Sequence, residues 1–307
     1  MLSENEVCKE GDHVMIYAGR QILFSVVLEK GGQITKKFGT IKHKDIIGKK
    51  FGTRLGFVNP NYPDIYVLKP SPHLWTFCLD HFTQIIHYTD IAVIAFQLEL
   101  RSGSIVLESG TGSASLTTSL AKFVAPLGHV HTFDIDSSRV ENAKISLEKN
   151  GFGNIVSVLE RNVVEQGFPF EKEFADSVVL DLPSPFLVIE EVARVLKKSG
   201  TICSFSPCIE QVQQTCSKLE ENAFTGIETF ECLLREHKVC VFGGFVDDEE
   251  KEKKQTEDQM EVFEYKRRKR KKMKEEKKEE NIKLFTRAIP EARGHTGYLT
   301  FAKKNTF

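Results

Sequence analysis

The chain has 307 residues, 40% of them hydrophobic and 28% charged, with a formal net charge of −1 at pH 7. That composition can bury a sizeable core and excludes global disorder. No stretch approaches the roughly 20 apolar residues of a membrane span, and the polar, acidic start lacks the pattern of a secretory signal. Seven scattered cysteines without a C-x-x-C pair fit neither a disulfide framework nor a zinc knuckle, so a reducing compartment and no bound metal are expected. The charge is segregated. Residues 249–280 hold 13 basic and 11 acidic side chains, which leaves the rest of the chain at a net −3. Any nucleic-acid contact must therefore use local basic patches or a partner's surface.

At roughly 150 residues per domain the length allows two domains. Residues 1–80 read as a small β-rich barrel or sandwich, with short β-branched or aromatic runs at 14–17, 22–28 and 65–68 punctuated by glycines. Four prolines, Pro60, Pro63, Pro70 and Pro72, predict a stiff exit. A helix is predicted over 88–98. Residues 81–307 then alternate strand and helix. Strands are predicted at 104–109, 128–133, 155–159, 177–180 and 201–205, and helices at 113–124, 137–150, 187–198 and 209–222. That alternation implies βαβ units around a parallel sheet, an α/β Rossmann-like fold. Late strands at 227–234 and 298–301 complete the sheet. Between them, a charged stretch at about 247–285 has no apolar face and reads as a solvated insertion.

The central motif is V-L-E-S-G-T-G-S-A-S at 106–115. A strand ends, Gly110 and Gly112 turn the chain, and a helix begins, which lets a ligand approach the backbone closely. Ser115 stands where a dinucleotide fingerprint wants its third glycine, so that fingerprint fails. Glu108 repels a pyrophosphate but can accept hydrogen bonds from an ammonium group, such as the one S-adenosylmethionine carries. Asp134, at the end of the second strand, is placed to take the hydroxyls of a ribose. Asp136 competes for that role, and is also suited to cap the next helix.

The fourth strand ends V-V-L-D-L-P-S-P, with Asp181 where ligands of such sheets sit, outside the carboxyl ends of the strands. Pro183 and Pro185 stiffen the loop after it, so the loop can hold a flat base while Asp181 accepts a hydrogen bond from an exocyclic amine. The run S-F-S-P-C-I-E-Q-V-Q at 204–213 lines the same mouth. Cys208 in it, with no histidine nearby in sequence, reads as a small buried residue rather than a nucleophile.

E-S-G-T-G-S, L-D-L-P-S-P, S-F-S-P-C-I-E-Q-V-Q and H-T-G-Y-L-T-F-A together resemble the catalytic subunit family of the eukaryotic tRNA (adenine-58-N1) methyltransferases. Y-V-L-K-P-S-P-H-L-W-T at 66–76 and H-F-T-Q-I-I-H-Y-T-D-I-A at 81–92 strengthen the likeness, which runs from about 10 to 303 outside the insertion. The resemblance implies a class I S-adenosylmethionine-dependent methyltransferase fold behind an N-terminal β domain. It implies S-adenosyl-L-methionine as methyl donor, with contacts from Ile86, Ser113, Ala114, Ser115, Asp134, Arg139, Asn162, Val163 and Asp181, and it makes Asp181 the catalytic aspartate. It places tRNA against Gly19, Arg20, Lys36, Lys37, the stretch from Gln84 through His87 to Tyr88, and Ser204, Pro207, Cys208 and Gln211. It also implies a related non-catalytic partner subunit and a heterotetramer of two copies each. The alternative reading is a non-catalytic RNA-binding subunit that kept the fold, which the intact Glu108, Gly110, Gly112, Asp134 and Asp181 oppose.

Three positions depart from the family pattern. Ala114 replaces a glycine, which the turn tolerates if φ is negative there. Asp134 replaces a glutamate one methylene longer. Asn162 replaces an aspartate, and its amide oxygen can still accept from an adenine amino group. Outside the pocket, the run K-R-R-K-R-K-K-M-K at 266–274 suggests nuclear import. Arg293 and His295 are candidates for RNA phosphate or for the flipped nucleotide, Tyr298 reads as core, and Trp75 reads as buried packing between the two domains.

Overall fold

A computed structural model describes residues 6–19, 22–37, 39–55, 64–78, 85–241, 284–290 and 294–306. Residues 242–283, which hold the charged insertion up to its last two positions and the run 266–274, lie outside them, as do Arg20, Gln84 and Arg293. In chain order the N-terminal part contains β1 (His13–Tyr17), β2 (Leu23–Val27), β3 (Gln33–Lys36), β4 (Gly39–Lys42), β5 (Arg54–Leu55) and β6 (Ile65–Leu68). Four of these form an antiparallel sheet in the order β2-β1-β6-β5, and β3 pairs with β4 as a separate hairpin. Val14, Ile16, Leu28, Ile34, Ile41, Ile46 and Val67 form one buried core. The hairpin was not anticipated, because each of its strands offers one apolar residue. Ile34 and Ile41 are direct cross-strand partners, and together they bury one face of an otherwise Lys- and Thr-rich ribbon.

Pro72, the last proline of the predicted exit, opens a helix, α1 (Pro72–Cys78), while Pro60 and Pro63 lie outside the described residues. Pro72 sits at the first helical position, where its missing N–H costs nothing, and Ser71 Oγ accepts the Leu74 N–H at 3.3 Å. Trp75 is buried in this helix with its ring edge-on to His13 at 5.6 Å. α2 (Tyr88–Gln97) follows.

The remaining elements are β7 (Ile105–Ser109), α3 (Ser115–Val124), β8 (His129–Asp134), α4 (Ser137–Lys149), β9 (Val156–Glu160), α5 (Val163–Gln166) and β10 (Ala175–Leu180). After them come a 3-10 turn (Pro185–Val188), α6 (Ile189–Val195), β11 (Leu196–Ser206), α7 (Ile209–Glu221), β12 (Phe224–Glu231), β13 (His237–Val241), β14 (Leu284–Ala288) and β15 (Tyr298–Lys304). The helix expected over 187–198 ends at Val195. Lys197 and Lys198 belong instead to β11, where the Lys197 ammonium meets Asp176 at 2.7 Å.

The described residues divide into two compact units, Met1–Cys232 with His295–Phe307, and Leu233–Gly294. Within the second, β13 and β14 pair as an antiparallel ribbon. The first holds a seven-stranded sheet in the order β12-β15-β11-β10-β7-β8-β9, parallel from β11 to β9, with β15 antiparallel to both neighbours. Leu120, Val124, Val130, Leu147 and Val179 belong to one of its apolar cores, and Leu107, Phe133, Leu180, Ile189 and Ile202 to another. The strand order reverses between β7 and β10. That switch point opens a crevice beyond the carboxyl ends of the strands. No helix among the described residues is long and apolar enough to cross a membrane.

Candidate active site

The crevice is a cavity of about 440 Å³, within the range usual for small-molecule sites. Gly110 and Gly112 from the β7–α3 turn line it, with Asp134 and Arg139 from the β8–α4 corner. Asp181, Leu182 and Pro183 come from the end of β10, and Phe205, Pro207 and Gln211 from the β11–α7 corner. Ile85, Ile86 and Thr296 complete the wall.

Asp134 is held by three donors. The Gly112 N–H reaches its Oδ2 at 2.9 Å, and the Asp136 N–H and Arg139 Nη1 reach its Oδ1 at 3.1 and 3.4 Å. These bonds fix the carboxylate while leaving lone pairs free for a diol. Asp136 takes the capping role, accepting the Ser138 and Arg139 N–H groups at the start of α4.

Asp181 is anchored through its backbone, its N–H donating to the Ser109 carbonyl at 2.8 Å. Burial, then the charge of Asp134, push its carboxyl up to about 6. Gly110 permits this approach of β7 and β10. Its φ is +103°, and a Cβ there would lie 2.2 Å from the Asp181 carbonyl oxygen. The lining therefore presents two carboxylates and one arginine already paired to Asp134 and Asp136, an excess of negative charge that suits a cationic ligand.

Glu108 is placed differently from its expected role. It is fully buried and outside the cavity lining, with the Thr117 hydroxyl donating to its Oε2 at 2.6 Å. Its Oε1 accepts no hydrogen bond of good geometry among the described residues. Burial pushes the group up to about 8, partly offset by the hydroxyls of Thr117 and Thr132. It stands beneath the glycine turn as a buried acid rather than on the cavity wall.

Ala114 does not have the negative φ expected of a non-glycine residue in this turn. It sits at φ 58°, ψ 25°, just before α3, where a non-glycine residue is strained by roughly 1–2 kcal/mol. It is fully buried there. The Ser115 hydroxyl turns away to Thr76 on α1 at 2.9 Å. Asn162 caps α5, its Oδ1 accepting the Val164 N–H at 3.1 Å, and Val163 is buried behind it. Neither Asn162 nor Val163 lines the cavity. Ile86 does, and is buried.

Of the residues expected at tRNA, Ser204 is overruled. It is fully buried inside β11, in register with Leu180 and Thr300, beyond the reach of a macromolecule. Cys208, expected to be buried, is exposed at the start of α7 beside exposed Pro207. Gly19 sits in the turn after β1 at φ 103°. Lys36 and Lys37 are exposed on the β3–β4 hairpin, with the Lys36 ammonium 5.4 Å from the centroid of the Phe24 ring. His87 is exposed before α2, and the Tyr88 ring packs edge-on to His73 at 4.5 Å. His295 is exposed, with its Nδ1 3.4 Å from Glu231, and Tyr298 is half-buried against it.

Two wall residues, Leu182 and Thr296, had been given no role of their own, whereas Ile85 and Phe205 fall in stretches expected to face the substrate and Pro183 in the loop expected to hold the base. The signal for Thr296 lay in the polar H-T-G-Y entry to the last strand. It serves Asp90 on α2, a fully buried carboxylate whose two oxygens lie 3.0 and 2.9 Å from Thr296 Oγ1. Thr296→Val strands that carboxylate and is expected to cost about 1–3 kcal/mol, measured by chemical unfolding, whereas Thr296→Ser should recover most of the loss.

The family model for the tRNA methyltransferase complex GCD14 subunit matches residues 64–304. The chain belongs to this family. It is 38% identical over 316 residues to the tRNA (adenine(58)-N(1))-methyltransferase catalytic subunit of Dictyostelium discoideum, covering 99% of this chain and 98% of that one. With the Candida albicans catalytic subunit it shares 38% identity over 231 residues, 74% of this chain and 68% of that one. The Cryptococcus neoformans relative is longer, and the match covers only 53% of it at 37% identity. Among solved structures, an S-adenosylmethionine-dependent O-methyltransferase from Thermotoga maritima superposes with a TM-score of 0.73 at 25% identity, covering 97% of this chain and 95% of that one. A tRNA (m1A58) methyltransferase from Aquifex aeolicus gives 0.70 at 22% identity, over 97% and 99%, which speaks to the fold. The Thermotoga maritima protein is named for its dependence on S-adenosylmethionine, and the acidic cavity of this chain fits the sulfonium and ammonium charges of that cofactor.

Proposed function

We propose that this chain transfers a methyl group from S-adenosylmethionine to N1 of adenine 58 in tRNA, as the catalytic subunit of a complex with a partner chain. One observation carries the reading: Asp134 and Asp181 converge on a single acidic cavity at the switch point of the sheet. When bound, the cofactor supplies an electrophilic methyl group. Asp134, fixed by Gly112 and Arg139, is placed to hold its ribose hydroxyls, and Ile86 offers an apolar wall.

Adenine N1 needs no deprotonation to attack. Asp181 accepts a hydrogen bond from the exocyclic amine, which raises electron density at N1 and stabilises the positive charge that the base acquires. Positioning supplies much of the remaining acceleration. The target base leaves the tRNA fold to enter the cavity, as bases must for such chemistry.

The decisive experiment is reconstitution with the partner subunit and unmodified tRNA, mapping the methylated nucleotide. Methylation at adenine 58 is expected. A complex that binds tRNA yet takes up no cofactor would instead identify a retired subunit. A heterotetramer of two copies each and a nuclear location belong to the same proposal. The −3 balance of the chain outside residues 249–280, which leaves much of the RNA surface to a partner, supports the assembly, and the basic run at 266–274 supports the location. Native mass of the complex tests the first, and relocation of a fluorescent fusion on replacing 266–274 tests the second.

A further inference from the structure

The loop that follows Asp181 is poorly equipped to hold itself. It reads L-P-S-P, and Pro183 and Pro185 have no N–H to donate. Its near end is tied by the Asp181 N–H to Ser109. Its middle is tied from across the cavity, where Gln211 Nε2 donates to the Pro183 carbonyl at 2.8 Å. The other end of the same amide is also engaged. Gln211 Oε1 accepts the Cys208 N–H at 3.2 Å, closing a reciprocal cap in which the Cys208 side chain receives the backbone N–H of Gln211. The amide thus bonds two backbone groups at once, one on the α7 cap and one on the Asp181 loop.

We infer that Gln211 is a positioning residue that locks the Asp181 loop to the first turn of α7, and that its amide does not serve as an RNA contact. The inference rests on Asp181 being the group that meets the target base. It follows from the geometry that an amide is required here, because one atom must accept and the other donate. A carboxylate at this position would keep the cap, since glutamate is favoured there, but would face the Pro183 carbonyl with no proton to give. A displacement of about 1 Å in a catalytic group can cost on the order of a hundredfold in rate.

The test compares the wild-type complex, reconstituted with its partner, with Gln211→Glu. The melting temperature and the dissociation constants for tRNA and S-adenosylmethionine should stay near wild type, while the single-turnover methylation rate falls about 10- to 100-fold. Hydrogen exchange at the Asp181 amide, which donates to the Ser109 carbonyl at the near end of the loop, should speed up in the absence of any ligand. Gln211→Met, uncharged and similar in size, should show the same rate loss with a lower melting temperature, and it keeps the test open if the glutamate variant fails to assemble.

A loss confined to tRNA affinity and cured by saturating tRNA would overturn the inference in favour of an RNA contact. Normal rates in both variants would overturn it as well, leaving the amide a simple helix cap. An inactive wild-type complex would instead count against the functional reading, while exchange at the Asp181 amide would still report on the lock itself.

Discussion

Asp181→Ala is expected to lower the methyl-transfer rate of the reconstituted complex by about 10²- to 10⁴-fold, the usual worth of a positioned acid–base group, with tRNA and cofactor affinities little changed. Single-turnover kinetics measure the first and equilibrium titrations the second. Activity at the wild-type level would remove Asp181 from the mechanism.

The pH dependence carries a second signature. The useful form of Asp181 is the carboxylate, and burial together with Asp134 pushes the group up to about 6 in the free protein. The ratio kcat/KM should therefore rise about tenfold per pH unit below 6 and level off above it, and Asp181→Asn should abolish that limb. The same shift sets a cost in stability. A carboxyl whose folded pKa lies above its ordinary value of 3.8 binds protons more tightly in the folded state. Stability from this group is therefore full below pH 3.8 and declines as pH rises towards 6. At neutral pH, Asp181→Asn should make the free protein more stable by up to about 3 kcal/mol, taking two pKa units at 1.36 kcal/mol each.

Gly110→Ala is expected to be the most damaging single methyl addition near the site. The residue holds φ +103°, and the added carbon would meet the Asp181 carbonyl oxygen at 2.2 Å. Both objections are to backbone, so no rotamer change relieves them. The strain and the forced parting of β7 from β10 should together cost about 3 kcal/mol or more, and the variant that survives should bind cofactor poorly because the turn and Asp181 can no longer share one wall. Urea unfolding and cofactor titration measure the two losses. A fully stable Gly110→Ala protein would mean that the two strand ends are not packed as described.

Much of the sheet was legible because strands and helices announce themselves by period and by length. The runs at 104–109, 128–133 and 177–180 sit on β7, β8 and β10 nearly residue for residue. The acids at the ends of these strands were legible for a related reason: a polar residue closing an apolar strand marks the crevice side of such a sheet.

What escaped was set by tertiary contacts. The backbone of Ala114 is left-handed because the α3 turn imposes it, and alanine carries no sign of that in sequence. The resemblance carried Ser115 to the cofactor, but Thr76, which the chain brings in from 39 positions earlier, meets its hydroxyl. Glu108 read as a ligand for an ammonium group, whereas α3 settles over it and turns its carboxyl inward to Thr117. The resemblance carried Ser204 to the tRNA face, yet it lies fully buried in β11, flanked in the sheet by Leu180 of β10 and Thr300 of β15. Helix α1 was the exception. Its signal, a serine immediately before a proline, was present locally and was outweighed by the count of prolines around it.

The excursion between β12 and β15 leaves and rejoins the sheet at neighbouring points, for Glu231 and Tyr298 face each other across paired strands. Closing a chain between two such fixed posts becomes only slowly harder as the chain grows, about 0.6 kcal/mol for each doubling. The fold can therefore accept longer or shorter sequence between β13 and β14, so long as Thr296, which re-enters the cavity wall and serves Asp90, is kept. Natural variation in length, and any tag or reporter an experimenter wishes to splice in, has its safest berth at that gap.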